Sequence, residues 1–168
     1  MSDTYVECLV KAKTSMLGKF GRVFLTTLTV IFVLAIFVLP PLMIFAFIGA
    51  VLCGVGAYIV RLFTDLEYEY LYLDKELAVD KIMAKTKRKR VATYPLDRIE
   101  ILAPIKSYHL DNYKNRQAKV KDYSIGEELQ PDRRYVMYYE GGEKIILSPS
   151  EEMIKVMRNV SPRKIFAD

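Results

Sequence analysis

Tryptophan is absent from these 168 residues, histidine occurs once and cysteine twice. With His109 as the sole imidazole, a histidine-rich metal site or a pair of catalytic histidines is excluded, and an ordinary surface role suits that residue. Cys8 precedes the long apolar stretch and Cys53 lies inside it, so they set no disulfide framework. Residues 64–168 hold no cysteine at all and need no oxidising compartment. The patterns G-x-S-x-G, the P-loop, H-E-x-x-H and paired C-x-x-C are missing. Glu67/Glu69, Glu127/Glu128 and Glu151/Glu152 are close in sequence, but two acids make no acid–base pair without a cleft that moves their pKa values apart. Nothing in the pattern calls for a metal or a cofactor, and the chain reads as non-enzymatic.

Charge is the next absence. From Val23 to Val60, thirty-eight residues pass without Asp, Glu, Lys, Arg or His. One helix of that length would extend about 57 Å, against a hydrocarbon core about 30 Å thick. Pro40-Pro41, near the midpoint, removes backbone donors and disfavours helix just before it. The stretch therefore predicts a two-helix transmembrane hairpin over residues 17–63, with helices of about Leu17 to Leu39 and Leu42 to Phe63 and a very short turn. A cleaved signal peptide fits poorly, because the run is too long for an h-region and no A-x-A site follows. The uncharged arms alone reach about 25–29 Å, and their tip carries no polar group. A spanning hairpin and a re-entrant one that leaves on its side of entry thus both fit.

Lys11, Lys13, Lys19 and Arg22 flank one end of the stretch and Arg61 the other, with no charge at the tip. The positive-inside rule then puts both termini in the cytoplasm, at the cell membrane. Small residues recur at four-residue spacing in the second helix: Ala46, Ala50 and Gly54 on one stripe, Gly49, Cys53 and Ala57 on the next. Such stripes let helices approach closely, either the two arms of one hairpin or two copies in a homodimer. Thr26, Thr27 and Thr29 can bond back to their own helix.

The formal charge of +5 is local. Residues 64–168 hold twenty Lys/Arg and eighteen Asp/Glu, nearly balanced, which argues against nucleic acid as a partner. Residues 1–16 form a separate cytoplasmic segment in this reading. Within it, Asp3 to Lys13 either makes a short interfacial helix with Val6, Leu9 and Val10 on one side, or packs on the following domain.

Residues 64–168 carry strand patterns. Leu66, Tyr68, Tyr70 and Tyr72 alternate in LEYEYLYL, and LAVDKIM, RVATY and the run Arg98 to Ala103 follow. Lys119 to Tyr123 reads as a short strand and Gly126 to Pro131 as a loop. Arg134 to Glu140 and Glu143 to Leu147 flank Gly141-Gly142, a two-residue hairpin turn. Ser148 as cap, Pro149 at the first position and Glu151 as capping-box partner predict a last helix, with Met153, Val156, Met157 and Val160 on its apolar face. Six or seven strands closed by a C-terminal helix suggest a small barrel or sandwich.

The run from Tyr72 through Pro95, Leu96, Arg98 and Ile99 to Leu102 resembles the opening strands of bacterial pleckstrin-homology-like (PH-like) domains, in which a two-helix membrane hairpin commonly precedes a "P-L-x-R-I" segment. The whole chain is also similar to an uncharacterised bacterial family of short membrane proteins, with Y-V-E-C-L-V-K (Tyr5 to Lys11) and P-R-K-I-F (Pro162 to Phe166) as end signatures. The resemblance implies a PH-like domain behind a membrane hairpin and carries no activity.

Two basic groups remain as candidate lipid or partner sites. Lys85, Lys87, Arg88, Lys89 and Arg90 crowd into six positions at an expected hairpin loop, and Lys114, Arg116, Lys119 and Lys121 form a looser group. Each can meet anionic headgroups or stay solvated and keep a strand edge from pairing with another chain. Together these features predict a membrane-anchored binding or scaffolding module with a protein partner and lipid contacts. A membrane-bound enzyme acting on a lipid is the alternative.

Overall fold

In the computed structural model, which describes residues 5–13, 16–126 and 132–167, the chain opens with a strand where an interfacial helix was one expectation. Strand β1, Val6–Lys11, pairs antiparallel with β2, Leu66–Leu73, in a register running from Val6↔Tyr72 to Lys11↔Glu67. Val6, Leu9 and Val10 fit a helical face, but Val6, Cys8 and Val10 also alternate. Pairing decides between the two, because a strand's preference is set largely by its neighbours. The stretch Val6–Lys11 is thus joined by pairing to β2, across the expected boundaries of 1–16 and 64–168. Among the described residues, one compact unit is drawn from Met1–Lys13, Glu67–Ile82 and Lys87–Asp168, and a second from Thr14–Leu66 and Met83–Thr86. The acids Glu127 and Glu128, Asp3 and most of the expected loop 126–131 lie outside the described residues.

The second unit is the helical hairpin. Helix α1 spans Met16–Val38 and α2 spans Met43–Thr64, joined by a 3-10 turn at Pro40–Leu42. At 1.5 Å per residue they reach about 34 and 33 Å. Both are long and apolar enough to cross a membrane. The two helices pack on each other through the small residues of α2. Ala46 and Ala57 are buried, while Gly49, Ala50, Cys53 and Gly54 are half-buried. A β-carbon on Gly49 would stand 2.9 Å from the Phe32 ring, Gly54 faces Thr29 and Gly56 faces Leu25. Thr26 and Thr29 donate to the carbonyls of Arg22 and Leu25, each at 2.8 Å.

The first unit carries two sheets of four strands among the described residues: seven strands from residues 64–168, where six or seven were expected, and β1. The first sheet runs β1-β2-β3-β4, with β3 at Glu76–Met83 and β4 at Lys87–Pro95. Its two tight turns hold Asp74-Lys75 and Ala84-Lys85 at positive φ without any glycine. The second sheet runs β5-β7-β8-β6, formed by Ile99–Pro104, Tyr135–Tyr139, Glu143–Leu147 and Lys119–Asp122, and β6 lies parallel to β8. Gly141 and Gly142 take φ of +93° and +80°, as the turn between β7 and β8 requires.

A 3-10 turn at Leu96–Arg98 links the sheets. The P-L-x-R-I segment is this corner: Leu96 and Ile99 are buried, and Arg98 stays exposed. Helix α3, Glu151–Val160, is capped by Ser150, whose hydroxyl accepts from the Met153 N–H at 3.2 Å. The expected cap, Ser148, is instead buried and accepts from the Ile125 N–H. Met153, Ile154 and Met157 enter the core, while Val160 stays exposed. Ile165 bridges to Leu102 on β5 and is fully buried, and Phe166 stacks on His109. Both end signatures thus close the fold, one as β1 and one as a cover on the β5 edge.

Candidate functional site

The alternation of the first sheet sorts its residues by face. Tyr70, Tyr72, Leu77 and Val79 join the core with Val6, while Glu69, Asp80, Leu71 and Ala78 take the opposite, outer face. Glu69 and Asp80 are only 6% and 5% exposed. An ionised carboxylate at such depth costs several kcal/mol unless it is paired. Neighbouring β4 supplies the partners. Arg88 Nε donates to Asp80 Oδ2 and Arg90 Nε to Asp80 Oδ1, both at 2.9 Å, and Arg88 Nη2 contacts the Glu69 carboxylate. One buried carboxylate thus holds two guanidinium groups side by side.

A groove of about 380 Å³ runs over this face. Leu71 and Ala78 line it with Tyr5 and Thr93, and both Arg88 and Arg90 and the pair Asp74 and Glu76 border it. Tyr5 donates to Glu7 Oε2 at 2.6 Å, and that bond holds the phenol above its ordinary pKa. The bond to Asp80 likewise raises Arg90.

The two basic groups are therefore not uniform patches. In the first, Lys85 sits in the β3–β4 turn and Lys87, Arg88, Lys89 and Arg90 continue along the edge strand β4, so the run is mostly strand rather than loop. Arg88 and Arg90 are committed to buried acids. Lys85, Lys87 and Lys89 are exposed, without an ion pair among the described residues. The turn also packs beside the end of α2: the Ala84 N–H donates to the Asp65 carbonyl at 2.7 Å. In the second group, Lys114 pairs with Asp111, Arg116 with Glu100 and Lys121 with Glu143. Only Lys119 lacks such a pair among the described residues.

Groups suited to chemistry are scattered. His109 stacks between Tyr108 and Phe166. The Tyr70 hydroxyl donates to the Tyr123 carbonyl at 2.6 Å and accepts from the Ser148 N–H, and burial raises its pKa far above the ordinary range. Burial does the same to Tyr94. Arg134 donates two short bonds to Asp132 and holds that carboxyl below its usual value. A roomier hollow of about 700 Å³ lies along α3, with Glu151, Lys155 and Arg158 at its walls. No group of His, Cys, Asp or Glu among the described residues is placed to hold a metal ion.

Sequence reasoning found the basic run but not its division. The available signal was Asp80, a lone acid inside the apolar strand LAVDKIM, opposite a strand with arginines two residues apart. A family described as "Bacterial PH-like domain (DUF6106)" matches residues 2–167. No curated protein and no solved structure matches the chain.

Proposed function

The chain belongs to the bacterial PH-like domain family, and from that premise we propose a membrane-anchored, non-enzymatic binding module at the cytoplasmic face of the cell membrane. The observation that carries this reading is the β1–β2 ladder. Strands on either side of the hairpin are paired, with Lys11 opposite Glu67. The helix that starts at Met16 and the one that ends at Thr64 are thus tied to one ladder end by a few residues each. Both membrane entries then lie on one side, and chain ends on opposite sides would require breaking six residue pairs. Continuous helices of about 33–34 Å favour spanning over re-entry in a core of about 30 Å. Cations at the helix ends and their absence at the tip favour the cytoplasm for the domain.

The anchor already supplies localisation, so the domain's task is to hold a protein partner, and lipid contacts orient it. Arg88 and Arg90 each spend donors on buried acids, whereas Lys85, Lys87 and Lys89 have no ion pair among the described residues and are the cations assigned here to anionic headgroups, each worth about 1 kcal/mol near the surface. In nanodiscs, backbone hydrogen exchange across residues 84–89 should slow when phosphatidylglycerol replaces part of the phosphatidylcholine. The triple variant Lys85→Gln, Lys87→Gln, Lys89→Gln should lose that contrast. An identical contrast in the variant would remove these lysines from the lipid contact.

A further inference from the structure

We propose that the groove on the outer face of the first sheet docks an extended segment of a partner protein, presenting an acidic side chain to Arg88 and Arg90 and, about four residues away, a basic side chain to Asp74 and Glu76. The inference deepens the binding-module reading and rests on it for the partner being a protein.

A guanidinium has five N–H donors in a fixed fork. Asp80 takes the Nε donors of both arginines, and Arg88 turns Nη2 to Glu69. The remaining terminal donors, above all those of Arg90, are left for an outside acceptor. The arginine side chains are 50% and 59% exposed. Their orientation is set before any ligand arrives, so less conformational freedom is lost when a carboxylate bridges them.

Opposite charge waits at the start of β3 and in the turn before it. Asp74 and Glu76 are exposed and have no ion pair among the described residues. From Asp80 to Glu76 the strand advances four residues, about 13 Å. An extended peptide covers that distance in as many residues, and between the charged ends it passes Leu71 and Ala78, which suit small or apolar side chains. A membrane surface or a free phosphate matches only the arginine end, because its negative charge would meet Asp74 and Glu76 at the other. Charge complementarity therefore selects a peptide with both signs.

The test uses the full chain in phosphatidylcholine nanodiscs, panned against a displayed library of random octapeptides. Enriched sequences should carry an acid and a base about four positions apart. Glu76 is exposed, so Glu76→Lys should keep the fold. It should replace the selected base by an acid, and a synthetic copy of the best native peptide should bind this variant about tenfold more weakly. No enrichment, enrichment without the charge pair, or the same sequences selected by Glu76→Lys would each overturn the proposal. So would loss of enrichment when the nanodiscs contain phosphatidylglycerol, which would give the arginines to lipid. The exchange contrast at residues 84–89 does not involve Glu76, so failure here leaves the membrane reading standing.

Discussion

A fragment starting at Asp65 is expected to stay unfolded, whereas the same fragment preceded by Tyr5–Lys13 through a short Gly/Ser linker should fold without the hairpin. The first sheet needs β1. Six residue pairs tie it to β2, Val6 is buried in the core, and Cys8 and Val10 pack beside it. Burying such side chains contributes about 1.5–3 kcal/mol each when complete, and a domain of this size has about 5–15 kcal/mol in total. Without β1, the inner edge of β2 also opens Tyr70 and Tyr72 to water. Dispersed amide NMR signals and a cooperative melt should mark the grafted protein, and a collapsed spectrum the truncated one. A native-like truncated fragment would mean that the strand is an accessory and that the hairpin is not tied into the domain.

Arg88→Ala is expected to cost about 2–3 kcal/mol, toward the low end for breaking a buried pair because the arginine itself is half exposed. Glu69 would lose its cation while remaining 6% exposed, whereas Asp80 would keep Arg90. Adding Glu69→Gln should recover about 1 kcal/mol or more, because the neutral amide needs no counter-charge. The double variant should then be more stable than the sum of the single changes predicts. In the grafted domain the single loss corresponds to a melting shift of about 10 °C or more. Strict additivity would show that the arginine does not hold the acid in place. It would also weaken the groove, whose guanidinium donors depend on that anchoring.

Much of the fold follows from patterns confined to neighbouring residues. Pro40-Pro41 set the hairpin turn because a missing donor and a fixed φ act locally, and the observed helices end at Val38 and resume at Met43. Gly141-Gly142 defined the β7–β8 turn for the same kind of reason. The errors came where a partner distant in sequence decides. Val6–Lys11 is a strand because residues 66–73 offer a ladder, and the parallel β6–β8 pairing has no turn to announce it. Ser148 and Ser150 both precede an acidic first turn. Burial of Ser148 against Ile125 leaves Ser150 as the cap. The candidate site was half legible. Charge density located the basic run, but dividing it into committed arginines and free lysines needed Glu69 and Asp80 on neighbouring strands.

The most direct measurement of the central account is cysteine labelling in intact cells, in a chain whose Cys8 and Cys53 are replaced. One variant carries Pro41→Cys in the turn between the helices, another Glu140→Cys on the exposed end of the β7–β8 hairpin. A membrane-impermeant maleimide added outside should modify position 41 and leave position 140 untouched until the membrane is opened. Labelling at 140 with protection at 41 would contradict the account, and protection at both would leave the hairpin unable to reach the far side.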